Sequence, residues 1–145
     1  PHPGFPAPPF TLQTPDGRSL SLADYSGKPV LIFFWASWCF VCKSTMPGLQ
    51  QVYEDDESGQ FEILAVNATS QDNLTNAITY FQSQKYTFPM LLDQDGELAG
   101  TYQLRALPTA ILVGPDGTIR DVVIGSGLSQ GYLQTSLSDL LDGKE

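Results

Sequence analysis

The sequence is poor in the residues on which metal centres, disulfide scaffolds and histidine-based catalysis depend. Its 145 residues include two cysteines, Cys39 and Cys42, and one histidine, His2. A structural zinc site normally takes four Cys or His ligands, so this chain cannot complete one alone and we expect no metal. Two cysteines are also too few for a disulfide-rich framework. A single histidine, placed in an N-terminal proline-rich stretch, argues against a histidine-dependent catalytic triad.

Basic residues and long apolar runs are scarce as well. Seven Lys and Arg stand against sixteen Asp and Glu, which gives a formal net charge of −9. Nucleic acids and anionic membrane surfaces are bound through a basic face, so we expect neither as a partner. No apolar run approaches the ~20 residues of a membrane-spanning helix. The chain does not begin with methionine, and we expect a mature or trimmed form from which a leader or membrane anchor has been removed.

The remaining composition is that of one globular domain. Hydrophobic residues make up 41% of the chain and charged residues 16%, and the length suffices to bury one core. Residues 1–9 contain five prolines. We interpret them as an extended tether in front of a domain that spans residues 10–145.

The strongest structural signal is an unbroken apolar run from Val30 to Trp35. Such a run, rich in β-branched and aromatic residues, predicts a central strand covered on both faces. A short turn follows, and apolar residues at helical spacing within residues 43–53 then predict a helix that starts at about the two cysteines. These apolar residues are Met46, Leu49 and Val52.

Both cysteines lie where this turn meets the helix. Cys39 is placed at the helix N-terminus, where unpaired N–H groups and the helix dipole favour a thiolate, so we expect it to be the nucleophile. Cys42 lies one turn further in, close enough for a disulfide to close, and is expected to resolve the mixed disulfide. A lone C-x-x-C motif is weak evidence, but a buried strand before it and a helix after it favour a redox function.

Taken together, these features resemble the thioredoxin superfamily. They are the strand, the motif W-C-x-x-C-K, and a proline five residues after the second cysteine. The sequence FFWASWC, residues 33–39, is more specifically similar to the TlpA/ResA-like branch. The resemblance covers about residues 10–141 and implies an α/β, thioredoxin-like fold, with a central mixed sheet flanked by helices and an N-terminal β-hairpin. It also implies a helical insertion between core strands at about residues 68–90, where Ser70 or Asp72 could cap a helix.

The resemblance implies a substrate-binding surface around the two cysteines. Trp38 is expected beside the dithiol, and the apolar Phe40 and Val41 between the cysteines should favour an extended peptide. Leu107 and Pro108 match the family's cis-proline position, so we predict a cis bond there. The main chain of Leu107 would then pair with the substrate. No cofactor is implied other than the Cys39–Cys42 disulfide itself.

Three positions depart from the family pattern. Phe33 stands where thioredoxins carry an aspartate, and residues 67–71 contain no acid where several ResA-like proteins place a glutamate. Val41 replaces a proline that many relatives carry, which affects the redox potential. A buried acid would help to move a proton during resolution, so water or another group has to replace it.

The function that follows is an exported thiol–disulfide oxidoreductase acting mainly as a reductant of protein disulfides. The resemblance implies partners such as apocytochrome c and an upstream membrane thiol reductase. It also implies an extracytoplasmic location, with a membrane anchor outside this sequence, and we expect a monomer. Two alternatives remain open: a thiol peroxidase, and a Cu(I) chaperone with both cysteines as soft ligands.

Overall fold

The computed structural model describes residues 1–56 and 59–141, which form a mixed sheet with helices on both faces. The strands are β1 (Thr11–Gln13), β2 (Ser19–Ser21), β3 (Val30–Trp35), β4 (Glu62–Asn67), β5 (Met90–Leu92), β6 (Thr109–Val113) and β7 (Ile119–Ile124). The helices are α1 (Phe40–Asp55), α2 (Leu74–Ser83), α3 (Glu97–Thr101) and α4 (Gln130–Leu141). The strand order is β2-β1-β5-β4-β3-β6-β7. This is the thioredoxin-like fold that the sequence predicts. None of the helices in the described part of the chain is long and apolar enough to cross a membrane.

Strand β3 is buried along its whole length, as its composition predicts. Its side chains alternate between two cores because successive residues of a strand point to opposite faces. Leu31, Phe33 and Trp35 join the core under α1, α2 and α4. The other three residues of the strand join the core under α3. Burial on both faces therefore requires every residue of this strand to be apolar.

The sheet register brings a second loop to the same edge as the cysteines. Strand β3 pairs in parallel with β4 and antiparallel with β6, and Phe34 lies opposite Thr109. The loop before β6 therefore lies at the same end of the sheet as the C-terminus of β3. The bond between Leu107 and Pro108 in this loop is cis, as predicted. The loop is held in place because the Gly125 N–H donates to the Pro108 carbonyl at 2.8 Å.

The insertion between β4 and β5 contains a short 3-10 turn and then helix α2. The N-cap of α2 is Asn73, whose side chain accepts from the N–H of Asn76. The prediction that Ser70 or Asp72 caps this helix is therefore wrong. Strand β5 pairs in parallel with β4 and antiparallel with β1. It therefore connects the N-terminal hairpin to the main sheet.

The proline-rich segment differs from the expected free tether. It is extended, but it lies along the edge strand β7, where the Gly4 N–H donates to Ile119 and the Ala7 N–H donates to Gly117. Ala7 is buried, and the fully buried Tyr102 donates its hydroxyl to the Pro8 carbonyl at 2.6 Å. Prolines suit this position because an edge strand needs only some of its N–H groups. The segment covers an edge that would otherwise be open.

Deletion of residues 1–8 should lower the free energy of unfolding by about 1–3 kcal/mol, because the buried Tyr102 hydroxyl and the β7 edge lose their partners. Urea denaturation monitored by circular dichroism measures the change. Tyr102→Phe is the matched control: it should cost about 1 kcal/mol in the intact chain and close to nothing in the shortened chain. Equal costs in both backgrounds would show that the segment does not support Tyr102.

Candidate redox site

Cys39 and Cys42 form a disulfide, with their Cα atoms 5.2 Å apart. Cys39 is the N-cap of α1, and its sulfur accepts from the N–H of Cys42 at 3.1 Å. The helix begins at Phe40, directly after Cys39 as predicted, so both residues between the cysteines lie in its first turn. Cys39 is 6% exposed and Cys42 is fully buried, in the order that the sequence predicts. The sulfur that faces the helix N-terminus is therefore also the one that a partner can reach.

Large apolar side chains stand exposed on both sides of Cys39. Trp38 is 60% exposed and Phe40 is 78% exposed. The indole N–H of Trp38 donates to the Gln71 carbonyl at 2.8 Å, which fixes the ring against the loop after β4. Val41 is half-buried against the core that contains both cysteines. Exposed aromatic residues of this size next to a reactive disulfide are typical of a surface that binds another chain.

The loop before β6 adds further apolar groups at this edge. Leu107 is half-buried against both cores, and Pro108 is buried. Ile124 pairs with Thr109 and is 58% exposed. Ile124 is not recognisable from the sequence pattern, because only the register of β6 against β7 brings it next to this loop.

An acid lies next to this site, one residue beyond the acid-free stretch 67–71. The Asp72 carboxylate accepts from the N–H and hydroxyl of Ser37 at 2.7 and 2.6 Å, from the Asn67 amide at 3.0 Å, and from the Asn73 N–H at 2.7 Å. Burial alone would raise the pKa of Asp72, but the hydrogen bonds from Asn67 and Ser37 outweigh it and lower the pKa below its ordinary value. This carboxylate stabilises the turn before Cys39, and its oxygens have no free capacity to act as a base.

Helix α2 packs directly behind the end of β3. The Trp35 ring lies 5.8 Å from the Tyr80 ring and 5.9 Å from the Phe81 ring, measured between centroids. The Trp35 ring is fully buried, and its indole N–H makes no hydrogen bond within the described residues. Trp35 is therefore a core residue, whereas Trp38 lies on the surface.

Comparison with known proteins agrees with this geometry. A model of the AhpC/TSA family matches residues 3–122. The thiol-disulfide oxidoreductase ResA of Bacillus subtilis is 33% identical over 123 residues, which are 85% of this chain and 68% of ResA. The chain belongs to the AhpC/TSA family and to its ResA-like members. It is a thiol–disulfide oxidoreductase with a thioredoxin-like fold.

Two solved structures have a similar architecture. StoA from Bacillus subtilis superposes with a TM-score of 0.77 at 29% identity, covering 92% of this chain and 98% of StoA. The exposed lipoprotein thioredoxin Etrx1 from Streptococcus pneumoniae gives 0.79 at 27% identity, covering 92% of this chain and all of that chain. The similarity therefore extends over nearly the whole domain.

Asp72→Asn should lower the free energy of unfolding by about 1–3 kcal/mol at neutral pH, because the amide cannot accept all four hydrogen bonds. The folded-state pKa of Asp72 is depressed, so its stabilisation is present above the unfolded pKa of about 3.9 and is lost as the pH falls through the folded pKa. The gap between the wild type and Asp72→Asn should therefore shrink below about pH 4. Urea denaturation across this pH range tests the prediction.

Glu97→Gln is the matched control for this substitution. The Glu97 carboxylate is exposed and accepts no hydrogen bond within the described residues, so its loss should change stability little. An Asp72→Asn protein that behaves like Glu97→Gln would show that the four hydrogen bonds contribute nothing to stability.

Proposed function

We propose that this oxidoreductase reduces disulfides of exported proteins, with the Cys39–Cys42 pair as its only redox group. One observation carries the proposal: the more accessible sulfur caps helix α1 and is flanked by exposed aromatic side chains. A helix N-terminus stabilises a thiolate, and an apolar surface favours an unfolded or extended protein partner. Both features suit attack on a protein disulfide.

In this mechanism the reduced protein transfers two electrons. The Cys39 thiolate attacks one sulfur of the substrate disulfide, and the other substrate sulfur leaves as a thiolate. Cys42 loses its proton and attacks Cys39, which forms the intramolecular disulfide and releases the second substrate sulfur. The substrate gains two electrons and two protons, and a thiol donor has to reduce the Cys39–Cys42 disulfide again. An upstream membrane thiol reductase fits that role.

The substrate segment would lie across the exposed side chains of Trp38 and Phe40, beside Val41, and along the loop of Leu107 and Pro108. The backbone N–H and C=O of Leu107 make no hydrogen bond within the described residues. An extended peptide could pair with both groups, as in β-strand addition. Such main-chain pairing accepts many sequences, which suits a general reductant.

We further propose an extracytoplasmic location, with a membrane anchor on the N-terminal side and the protein acting as a monomer. Etrx1 is described as an exposed lipoprotein, which supports this location. Residues 4–7 lie against β7 near the turn between β6 and β7, at the end of the sheet opposite the disulfide. A tether on that side would direct Cys39 away from the membrane, towards substrates such as apocytochrome c.

Protease added to intact cells that produce the full-length gene product should degrade this protein. Full protection from the protease would argue against export.

Replacing Cys42 by Ser should trap substrates as mixed disulfides on Cys39, because the resolving thiol is missing. Non-reducing electrophoresis and mass spectrometry of the trapped adducts measure this, and Cys39→Ser is the matched control, which should trap none. If Cys39→Ser accumulates adducts instead, the two roles are reversed.

Three measurements on the wild-type protein, reduced beforehand, distinguish the proposed function from its two alternatives. Its reduction potential, measured in thiol redox buffers, should lie nearer to about −270 mV, as in thioredoxin, than to the value of about −120 mV for the oxidant DsbA. A thiol peroxidase would consume hydrogen peroxide faster than it reduces a protein disulfide such as that of insulin. A copper chaperone would bind Cu(I) in competition with a chelator at the expense of disulfide reduction.

A further inference from the structure

A groove of about 580 Å³ opens beside the redox site, between the first turn of α1 and helix α2. We call it the α2 groove. Trp38 and Lys43 line one side, and Asp72, Asn76, Thr79 and Tyr80 are among the residues that complete it. Trp38 directly precedes the C-x-x-C motif in sequence, and Lys43 directly follows it. A substrate bound to Cys39 would therefore place neighbouring residues in the groove, since an extended chain advances only about 3.3–3.6 Å per residue.

Three acceptors that line the α2 groove are occupied, whereas two polar side chains of α2 in its lining have no partner within the described residues. The Asp72 carboxylate, the Gln71 carbonyl and the Asn73 side-chain oxygen all accept hydrogen bonds. The side chains of Asn76 and Thr79 make no hydrogen bond within residues 1–56 and 59–141. Both side chains are exposed, so they can exchange water for an acceptor of a bound substrate.

Lys43 supplies a positive charge to the same groove. It is half-buried, and its ammonium lies 5.6 Å from the centroid of the Tyr80 ring. No carboxylate of the described residues lies within ion-pair distance of the Lys43 ammonium. The ion pairs found among these residues involve Arg18 and Arg120 instead. The Debye length is about 8 Å at physiological salt, so the distant charges that contribute to the net charge of −9 are largely screened here. Among the described residues, Asp72 is the one acid that lines the groove, and its carboxylate already accepts four hydrogen bonds.

We propose that the α2 groove is a subsite for a carboxylate side chain of the substrate, an Asp or Glu within about two residues of the cysteine that is attacked. Lys43 would pair with the carboxylate, and the Asn76 amide and Thr79 hydroxyl would donate to it. Lys43 is then a specificity-determining residue. This inference rests on the proposed function as a reductant of protein disulfides, and it adds a preference among such substrates.

The test uses two disulfide-bonded peptides that are identical except for Glu or Gln on both sides of one cysteine, two residues away. The pre-reduced protein should react with the Glu peptide ~fivefold faster, as expected for one partly exposed ion pair. Lys43→Gln should bring the ratio of the two rate constants close to one, and Lys43→Arg should retain the preference. Lys85→Gln is the matched control, because Lys85 lies after the end of α2 and does not line the groove.

The ratio of rate constants isolates the subsite from the thiol chemistry. Any effect of Lys43 on the thiolate acts on both peptides equally and cancels. The preference should also fall between about 20 and 500 mM salt, because screening weakens an ion pair. Equal rates for the two peptides with the wild-type protein would overturn the subsite while leaving the proposed function intact. A preference that survives in Lys43→Gln would also overturn it, and failure to reduce either peptide would refute the proposed function together with the subsite.

Discussion

Burial of β3 on both faces is the constraint on which the rest of this structure depends. Its six apolar residues lie in two cores at once, so the strand occupies the middle of the sheet and its end is fixed against both layers. Cys39 follows four residues after Trp35, and a rigid strand end therefore sets the position of the helix that it caps. The accessible sulfur gains its place at a helix N-terminus from this packing rather than from any charged neighbour.

The elements added to the common sheet determine what surrounds the disulfide. Helix α2 packs on Trp35 and supplies one side of a groove that donates hydrogen bonds, while the loop before β6 supplies unpaired backbone groups on the other side. Asp72 ties α2 to the turn before Cys39 through Ser37. A partner would therefore meet an apolar centre at Trp38 and Phe40, main-chain hydrogen bonds at Leu107 and a cation at Lys43.

The proton transfer that accompanies resolution has no carboxylate in the expected position. Residues 67–71 carry no acid, and the nearby Asp72 has a lowered pKa because Asn67 and Ser37 donate to it despite its partial burial. A carboxylate held in its charged form by four donors is a poor proton carrier near neutral pH. Its role is to fix the turn, so water or another group has to carry the proton.

Local patterns in the sequence are enough to predict several parts of this protein. The apolar run of β3, the spacing of Cys39 and Cys42, and the proline after Leu107 each specify a conformation through neighbouring residues, and all three were predicted correctly. Only the tertiary structure decided which distant groups meet. The proline-rich segment lies along β7 because the carbonyls of Ile119 and Gly117 accept its N–H groups and Tyr102 donates its hydroxyl to it. Asp72 stabilises the turn before Cys39 instead of capping α2, because the register of β3 against β4 brings Ser37 close to it. A hydrogen bond between residues 35 positions apart leaves no periodic signal in a single sequence.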